Sequence, residues 1–254
     1  FHLFPETTPL SRRWYYRRAF RRSMREADMV LCDSKNTRWD VIEHFSVSGL
    51  RARAIHLGVE ARFFQPIPEK SLEEVRARYD LPGRFILSLG TLEPRKNLDR
   101  LIEAYRSALN KSEDLPPLVL AGRSGWGGDM DRLIANAGLQ EDVLRPGFID
   151  DADLPALYHM ADIFVHVSLY EGFGLPLLEA MASGTAVIAG DNSSQVEIID
   201  DPDALVDASS IGAISQAIRR LAENEDLRQA MGASNRDRAR SFSWTKCAEK
   251  TLQA

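Results

Sequence analysis

From residue 85 onward, short apolar runs ending in small or turn-forming residues alternate with helical patterns, and no other feature restricts the fold of this chain as strongly. The runs occupy residues 85–90, 118–122, 143–147, 163–168, 185–190 and 205–207. Between them Leu98, Leu101, Ile102, Tyr105 and Leu109 share one helical face, as do Leu154, Leu157, Tyr158 and Ala161. Strands that lack polar alternation need cover on both faces. The alternation therefore predicts an α/β fold with a doubly wound parallel sheet. Ligands of such sheets bind beyond the carboxyl ends of the strands.

One segment sits in that place. After the run at 163–168 comes Glu171-Gly172-Phe173-Gly174-Leu175-Pro176-Leu177-Leu178-Glu179, leading into Ala180-Met181-Ala182-Ser183-Gly184-Thr185. Pro176 fits the first turn of a helix, where its missing N–H does no harm. The loop before it presents free N–H groups and the positive end of the helix dipole, which suit a phosphate. Glu171 and Glu179 stand ready to accept hydrogen bonds from hydroxyls. Phosphate plus polyol points to a nucleotide sugar. The plainer alternative, an acid near a helix start and a solvated glutamate on its face, leaves the Gly-Phe-Gly loop unexplained.

A second group of residues follows the first strand run, in Gly90-Thr91-Leu92-Glu93-Pro94-Arg95-Lys96-Asn97. Two cations ahead of a helix starting near Leu98 oppose its dipole, at about 0.3–1 kcal/mol each unless an anion compensates. A bound diphosphate would compensate. Gly90 permits close approach of a ligand to the backbone.

The 20 residues from Glu171 to Gly190 resemble the E-x7-E segment of retaining glycosyltransferases of family 4, enzymes of the GT-B fold with two Rossmann-like domains. The resemblance implies transfer of a hexose from a nucleotide-sugar co-substrate to a glycan or lipid-linked glycan acceptor. It gives Glu171 the donor-sugar hydroxyls, Glu179 the ribose, and Arg95 and Lys96 the diphosphate as leaving-group stabilisers. Gly90, Thr91, Gly122, Phe148, Ile149, Phe173, Gly174 and Leu175 complete the donor-binding set, and Arg123 with the loop at 124–128 also borders the cleft. Overall likeness favours mannose from GDP-mannose, in polysaccharide or lipopolysaccharide biosynthesis. Residues 1–57 then form the later part of an acceptor domain, 58–241 the donor domain, and 242–254 a terminal helix that crosses back. A chain beginning at Phe1, inside a domain of this kind, reads as a fragment or processed form. Two other functions stay open: a nucleotide-sugar binding fragment without activity, and an epimerase of the same fold, for which the histidines show no acid/base arrangement.

His2 precedes Phe4-Pro5-Glu6 too closely to match the acceptor-domain histidine of the family. His166 alternates with Phe164 and Ser168 along its strand and reads as a packed histidine near the cleft. Asp-x-Asp pairs at Asp129/Asp131, Asp151/Asp153 and Asp201/Asp203 each fit a helix start, a cap or a turn, so no metal cofactor is expected.

The chain has 254 residues, 44% hydrophobic, enough for a large core. No apolar run approaches the roughly 20 residues that span a bilayer and no signal peptide opens the chain, which reads as cytoplasmic. Cys32 and Cys247 belong to no C-x-x-C pair and read as free thiols. The net charge is −5, yet residues 1–25 carry seven arginines against one glutamate. Trp14, Tyr15, Tyr16 and Phe20 interleave with Arg12, Arg13, Arg17, Arg18, Arg21, Arg22 and Arg25. That pattern suits peripheral contact with an anionic membrane face, and suits better an ordinary helix with its aromatic side on a sheet. The negative total argues against a nucleic-acid partner.

Overall fold

The computed structural model describes residues 10–112, 114–123, 125 and 129–254, and of residues 10–13 the backbone only. His2, the Phe4-Pro5-Glu6 element, the side chains of Arg12 and Arg13, and positions 124 and 126–128 of the glycine-rich loop lie outside that description.

Two parallel sheets carry the fold. The first pairs β1 (Val30–Cys32) with β2 (Ala52–Ala54), flanked by α1 (Leu10–Glu26) and α2 (Lys35–Phe45). Its small core is Val30, Cys32, Val41, Val47 and Ala52. Ser34 caps α2 by accepting from the Thr37 N–H. On α1, Trp14 and Tyr15 are about two-thirds exposed and Phe20 reaches the ring of Phe45. Among the described residues, the aromatic side of that helix therefore does not lie on a sheet.

The second sheet has six strands: β3 (Ile86–Leu89), β4 (Leu118–Ala121), β5 (Val143–Gly147), β6 (Ile163–His166), β7 (Ala186–Gly190) and β8 (Leu205–Val206). Each falls inside one of the six apolar runs. Helices connect them: α3 (Glu69–Arg78) precedes β3, then come α4 (Leu98–Leu109), α5 (Met130–Ala137), α6 (Leu154–Met160), α7 (Leu175–Ala182) and α8 (Gln195–Ile198). After β8 follow α9 (Ile211–Ala222), α10 (Glu225–Ala239) and α11 (Trp244–Leu252). The strand order is β5-β4-β3-β6-β7-β8, all parallel. This is the doubly wound order, and the expectation of a doubly wound α/β sheet is borne out.

The order also fixes where a ligand can sit. Connections run outward from β3 to β5 on one side and from β6 to β8 on the other, so right-handed crossovers place α4 and α5 on one face and α6 to α8 on the other. α9 packs on α4, and α10 on α7. Ile86, Leu87, Leu118, Val119, Ile163, Phe164 and Val165 are fully buried between the two layers. β3 and β6 are neighbours whose chains leave in opposite directions, which opens a crevice beyond their carboxyl ends. The loop after β3 carries Arg95 and Lys96. The loop after β6 carries Glu171.

Candidate active site

Three residues far apart in sequence meet in that crevice. One oxygen of the Glu171 carboxylate lies 2.7 Å from Lys96 Nζ and the other 2.7 Å from Arg95 Nη1. All three are largely buried, Glu171 most of all. Arg95 and Lys96 occupy a 3₁₀ turn, Pro94–Lys96, closed by Asn97 in the left-handed region at φ 60°. Asn97 is buried, and its amide donates to the carbonyls of Val167 (3.0 Å) and Ala208 (2.7 Å), pinning the turn to the end of β6 and the segment after β8. The Leu169 N–H donates to the Arg95 carbonyl, and Arg95 donates to the Tyr170 carbonyl. The two loops are thus laced together on either side of the cations.

The anion that compensates Arg95 and Lys96 in this structure comes from the chain itself. Glu171 bridges both, and Glu93 accepts from Nε and Nη2 of Arg95. Glu93 went unnoticed in the sequence because its partner is two residues away in a turn whose shape only the fold reveals. Burial works against the Glu171 charge, but the neighbouring His166, Lys96 and Arg95 outweigh it and hold the carboxyl far below the usual carboxylate range. His166 is also buried; burial pushes its imidazole below the ordinary histidine value, and Lys96 and Arg95 add to this against the pull of Glu171. The cluster thus brings the cationic side chains of Arg95 and Lys96, the acidic ones of Glu93 and Glu171, and the imidazole of His166 into one buried place. His166 Nε2 lies 3.2 Å from Glu171 but is not aligned for a hydrogen bond, and Ser168 Oγ is likewise buried with no partner among the described residues. Both border a small cavity lined by Gly90, Thr91 and Lys96.

The loop holding Glu171 is fastened from two sides. The Glu171 N–H donates to Ser193 Oγ, and the Ser194 hydroxyl bridges the carbonyls of Glu171 and Phe173. On the side of α2, Thr37 donates to the Gly172 carbonyl at 3.2 Å, and the Tyr170 hydroxyl donates to Asp40. Glu197 accepts from the Lys35 and Asn36 N–H groups at the start of α2 and sits 2.7 Å from His56. The loop holding Glu171 is therefore fastened between α2 and the segment at residues 193–194. Ser193 and Ser194 have no signal in the sequence beyond a turn-rich stretch.

Of the other predicted residues, Gly174 is the left-handed residue before α7, at φ 109°. The helical ladder starts with Leu177 and Leu178 donating to its carbonyl, so the Gly174 and Leu175 amides precede it and face the crevice end of the helix. The Phe173 ring is buried against His56 and Phe242. Gly90 and Gly122 touch: a Cβ on Gly122 would stand 2.0 Å from the Gly90 carbonyl oxygen. Phe148 is half-exposed under the Arg123 guanidinium, 4.4 Å from ring centre, while Ile149 is buried. Glu179 lies one turn into α7, its Oε2 accepting from the Tyr158 hydroxyl at 2.9 Å. The three Asp-x-Asp pairs are engaged elsewhere: Asp129 caps α5, Asp131 meets Arg145, Asp151 meets Arg62, Asp201 accepts from the Asp203 N–H and Asp203 meets Arg220. Asp153 does not cap α6 with its side chain, as its sequence position suggested; Arg78 and Tyr79 take the carboxylate instead. A larger cavity of about 280 Å³ lies between α4 and α5, bordered by Glu93, Asp99, Asp129 and Arg132. Three acids against one arginine make it a poor place for a diphosphate.

Comparison with known proteins bears on the family and the fold. The family model described as "Glycosyl transferases group 1" matches residues 71–238. The chain is 32% identical over 252 residues to the O-antigen chain mannosyltransferase B of Escherichia coli, covering 98% of this chain and 66% of that protein. It is 30% identical over 250 residues to the MMP alpha-(1->4)-mannosyltransferase of Mycolicibacterium hassiacum, covering 96% and 58%. Among solved structures, Anabaena Alr3699/HepE in complex with UDP and glucose superposes with a TM-score of 0.81 at 19% identity, over 93% of this chain and 65% of that one. The chain spans no more than two thirds of the length of each. Its architecture is GT-B-like, built of Rossmann-like α/β units on parallel sheets.

Proposed function

The chain belongs to the glycosyl transferases group 1 family, and from that premise we propose that the protein moves mannose from GDP-mannose to a hydroxyl acceptor with retention, as a family 4 enzyme of polysaccharide or lipopolysaccharide assembly. The observation that carries the reading is the Lys96–Glu171–Arg95 cluster at the crevice between β3 and β6. In the proposed complex the diphosphate lies on Lys96, Arg95 and the Gly174 and Leu175 amides, and Glu171 turns to the hydroxyls of the hexose. As the glycosidic bond breaks, negative charge grows on the β-phosphate; preorganised cations and helix-end N–H groups stabilise it at no further reorganisation cost. Gly90, Thr91 and Gly122 let the backbone approach the donor, and Phe148 and Ile149 border the base. No divalent metal enters this scheme. The choice of mannose draws on the names of the relatives above.

The same proposal assigns residues 58–241 to the donor domain, 1–57 to the acceptor domain, and 242–254 to a helix crossing back between them. Arg53 donating to the Gln253 carbonyl supports the last part. The acceptor is a glycan or lipid-linked glycan. The arginines and exposed aromatics of α1 would rest against the anionic inner face of a membrane, and no helix among the described residues is long and apolar enough to cross one. Calorimetric titration with GDP, UDP, ADP, GDP-mannose and UDP-glucose, with and without EDTA, tests the donor reading. GDP-mannose binding unaffected by EDTA is expected; selective binding of UDP or ADP would refute the donor assignment, and binding of none would refute the site.

A further inference from the structure

We propose that Tyr158 is a positioning residue for the nucleotide end of the site: its hydroxyl fixes one oxygen of Glu179 so that the other is presented to a ribose diol. The inference rests on the reading of Glu179 as the ribose-binding acid and adds the group that aims it. Tyr158 is fully buried on α6. Its ring is held edge-on by Phe63, with centroids 5.9 Å apart, and by Phe164, at 5.4 Å. Its carbonyl accepts from the Thr185 hydroxyl at 2.7 Å, tying the end of α6 to the start of β7. A fully buried ring packed against two aromatic neighbours and tied at its backbone has little room to follow a moving partner. The O–H therefore dictates where Glu179 Oε2 lies.

The carboxylate needs such a guide. Glu179 is half-buried, and burial pushes its carboxyl above the usual carboxylate range; Glu60 and Asp151 push the same way, while Tyr158 and Arg62 pull it back. Without the phenol, the side chain would be free to choose another rotamer and would take up a proton more readily. A protonated acid accepts less well from a diol.

Equilibrium titration with GDP, UDP and ADP and their 2′,3′-dideoxy forms, from pH 5 to 8, separates the possibilities. The parent chain is expected to favour the ribose form of one nucleotide over its dideoxy form. Tyr158→Phe should weaken the ribose form roughly three- to tenfold, the net worth of about one ordinary hydrogen bond, and leave the dideoxy form unchanged. Its ribose-dependent binding should also fade at a higher pH on acidification, because the bond that lowers the Glu179 value is gone. An unchanged ribose preference in Tyr158→Phe at every pH, or equal weakening of both forms, overturns the inference alone. No ribose preference in the parent, or no nucleotide binding, overturns the reading of Glu179 on which it rests. If Tyr158→Phe does not fold, Phe63→Leu loosens the clamp and must give a smaller loss confined to the ribose form; equal loss for both forms, or none, overturns the inference.

Discussion

Replacing Glu171 with glutamine keeps the shape of the side chain and removes its charge, leaving Lys96 without an anion in a site where its side chain is only 12% exposed. At 2.7 Å and an effective dielectric constant of about 20, the attraction to one cation is roughly 6 kcal/mol before desolvation is counted. Breaking a buried pair from one side costs about 3–5 kcal/mol. Arg95 retains Glu93, so the lower end applies, about 3 kcal/mol. For a chain of this size that is a fall in Tm of roughly 6–12 °C. The acid dependence has a definite sign. The folded Glu171 carboxyl titrates below its unfolded value, so its contribution is complete above the unfolded pKa of about 4.3 and is lost as the pH falls from there toward the folded value. Thermal melts of parent and Glu171→Gln should be far apart at pH 7, and the gap should begin to narrow below about pH 4 and keep shrinking with further acid. A variant that melts within about 1 °C of the parent at pH 7, or a gap that stays constant into acid, would refute the reasoning, because the carboxylate would then not be neutralising the cations.

Three other substitutions probe separate parts of the account. Lys96→Met should weaken binding of GDP by at least about tenfold, as expected for loss of a charge-assisted contact, which titration calorimetry would read; unchanged affinity would remove Lys96 from the site. Asn97→Ala strips the buried Val167 and Ala208 carbonyls of their donor, and should lower stability by about 2–4 kcal/mol in urea with an unchanged m value. Gly232→Ala places a Cβ 2.1 Å from the Gly184 carbonyl oxygen, forcing α10 off the turn before β7; a loss of about 3 kcal/mol is expected by thermal melt, and a neutral effect would show that the helix shifts freely there.

The parts of the fold legible in the sequence are those fixed by burial. Ile86-Leu87, Leu118-Val119-Leu120 and Ile163-Phe164-Val165 are covered on both faces, so their apolar runs stand out without any knowledge of their neighbours. α3 and α10 are more polar, with Val75 the one buried residue of α3, and their packing is set by tertiary partners. In the site, Glu171, Arg95 and Lys96 were visible because a glycine-bearing loop and a charge pair at a helix start are local signals. That 75 residues of separation close to 2.7 Å follows from the β3–β6 adjacency, which no local pattern states. Asn97 stands at the N-cap of α4 without a side-chain cap bond, and its amide serves two other segments. Tyr158 reads as one more apolar position on a helix face; nothing around it in sequence announces an acid 21 residues later.

A crystal structure of the chain with GDP-mannose tests the central claim most directly. The account predicts the diphosphate between Lys96, Arg95 and the amides of Gly174 and Leu175, with Glu171 released from at least one cation and turned to the mannose hydroxyls. A diphosphate found away from the β3–β6 crevice, for instance in the acidic cavity between α4 and α5, with the Lys96–Glu171 pair intact, would contradict it.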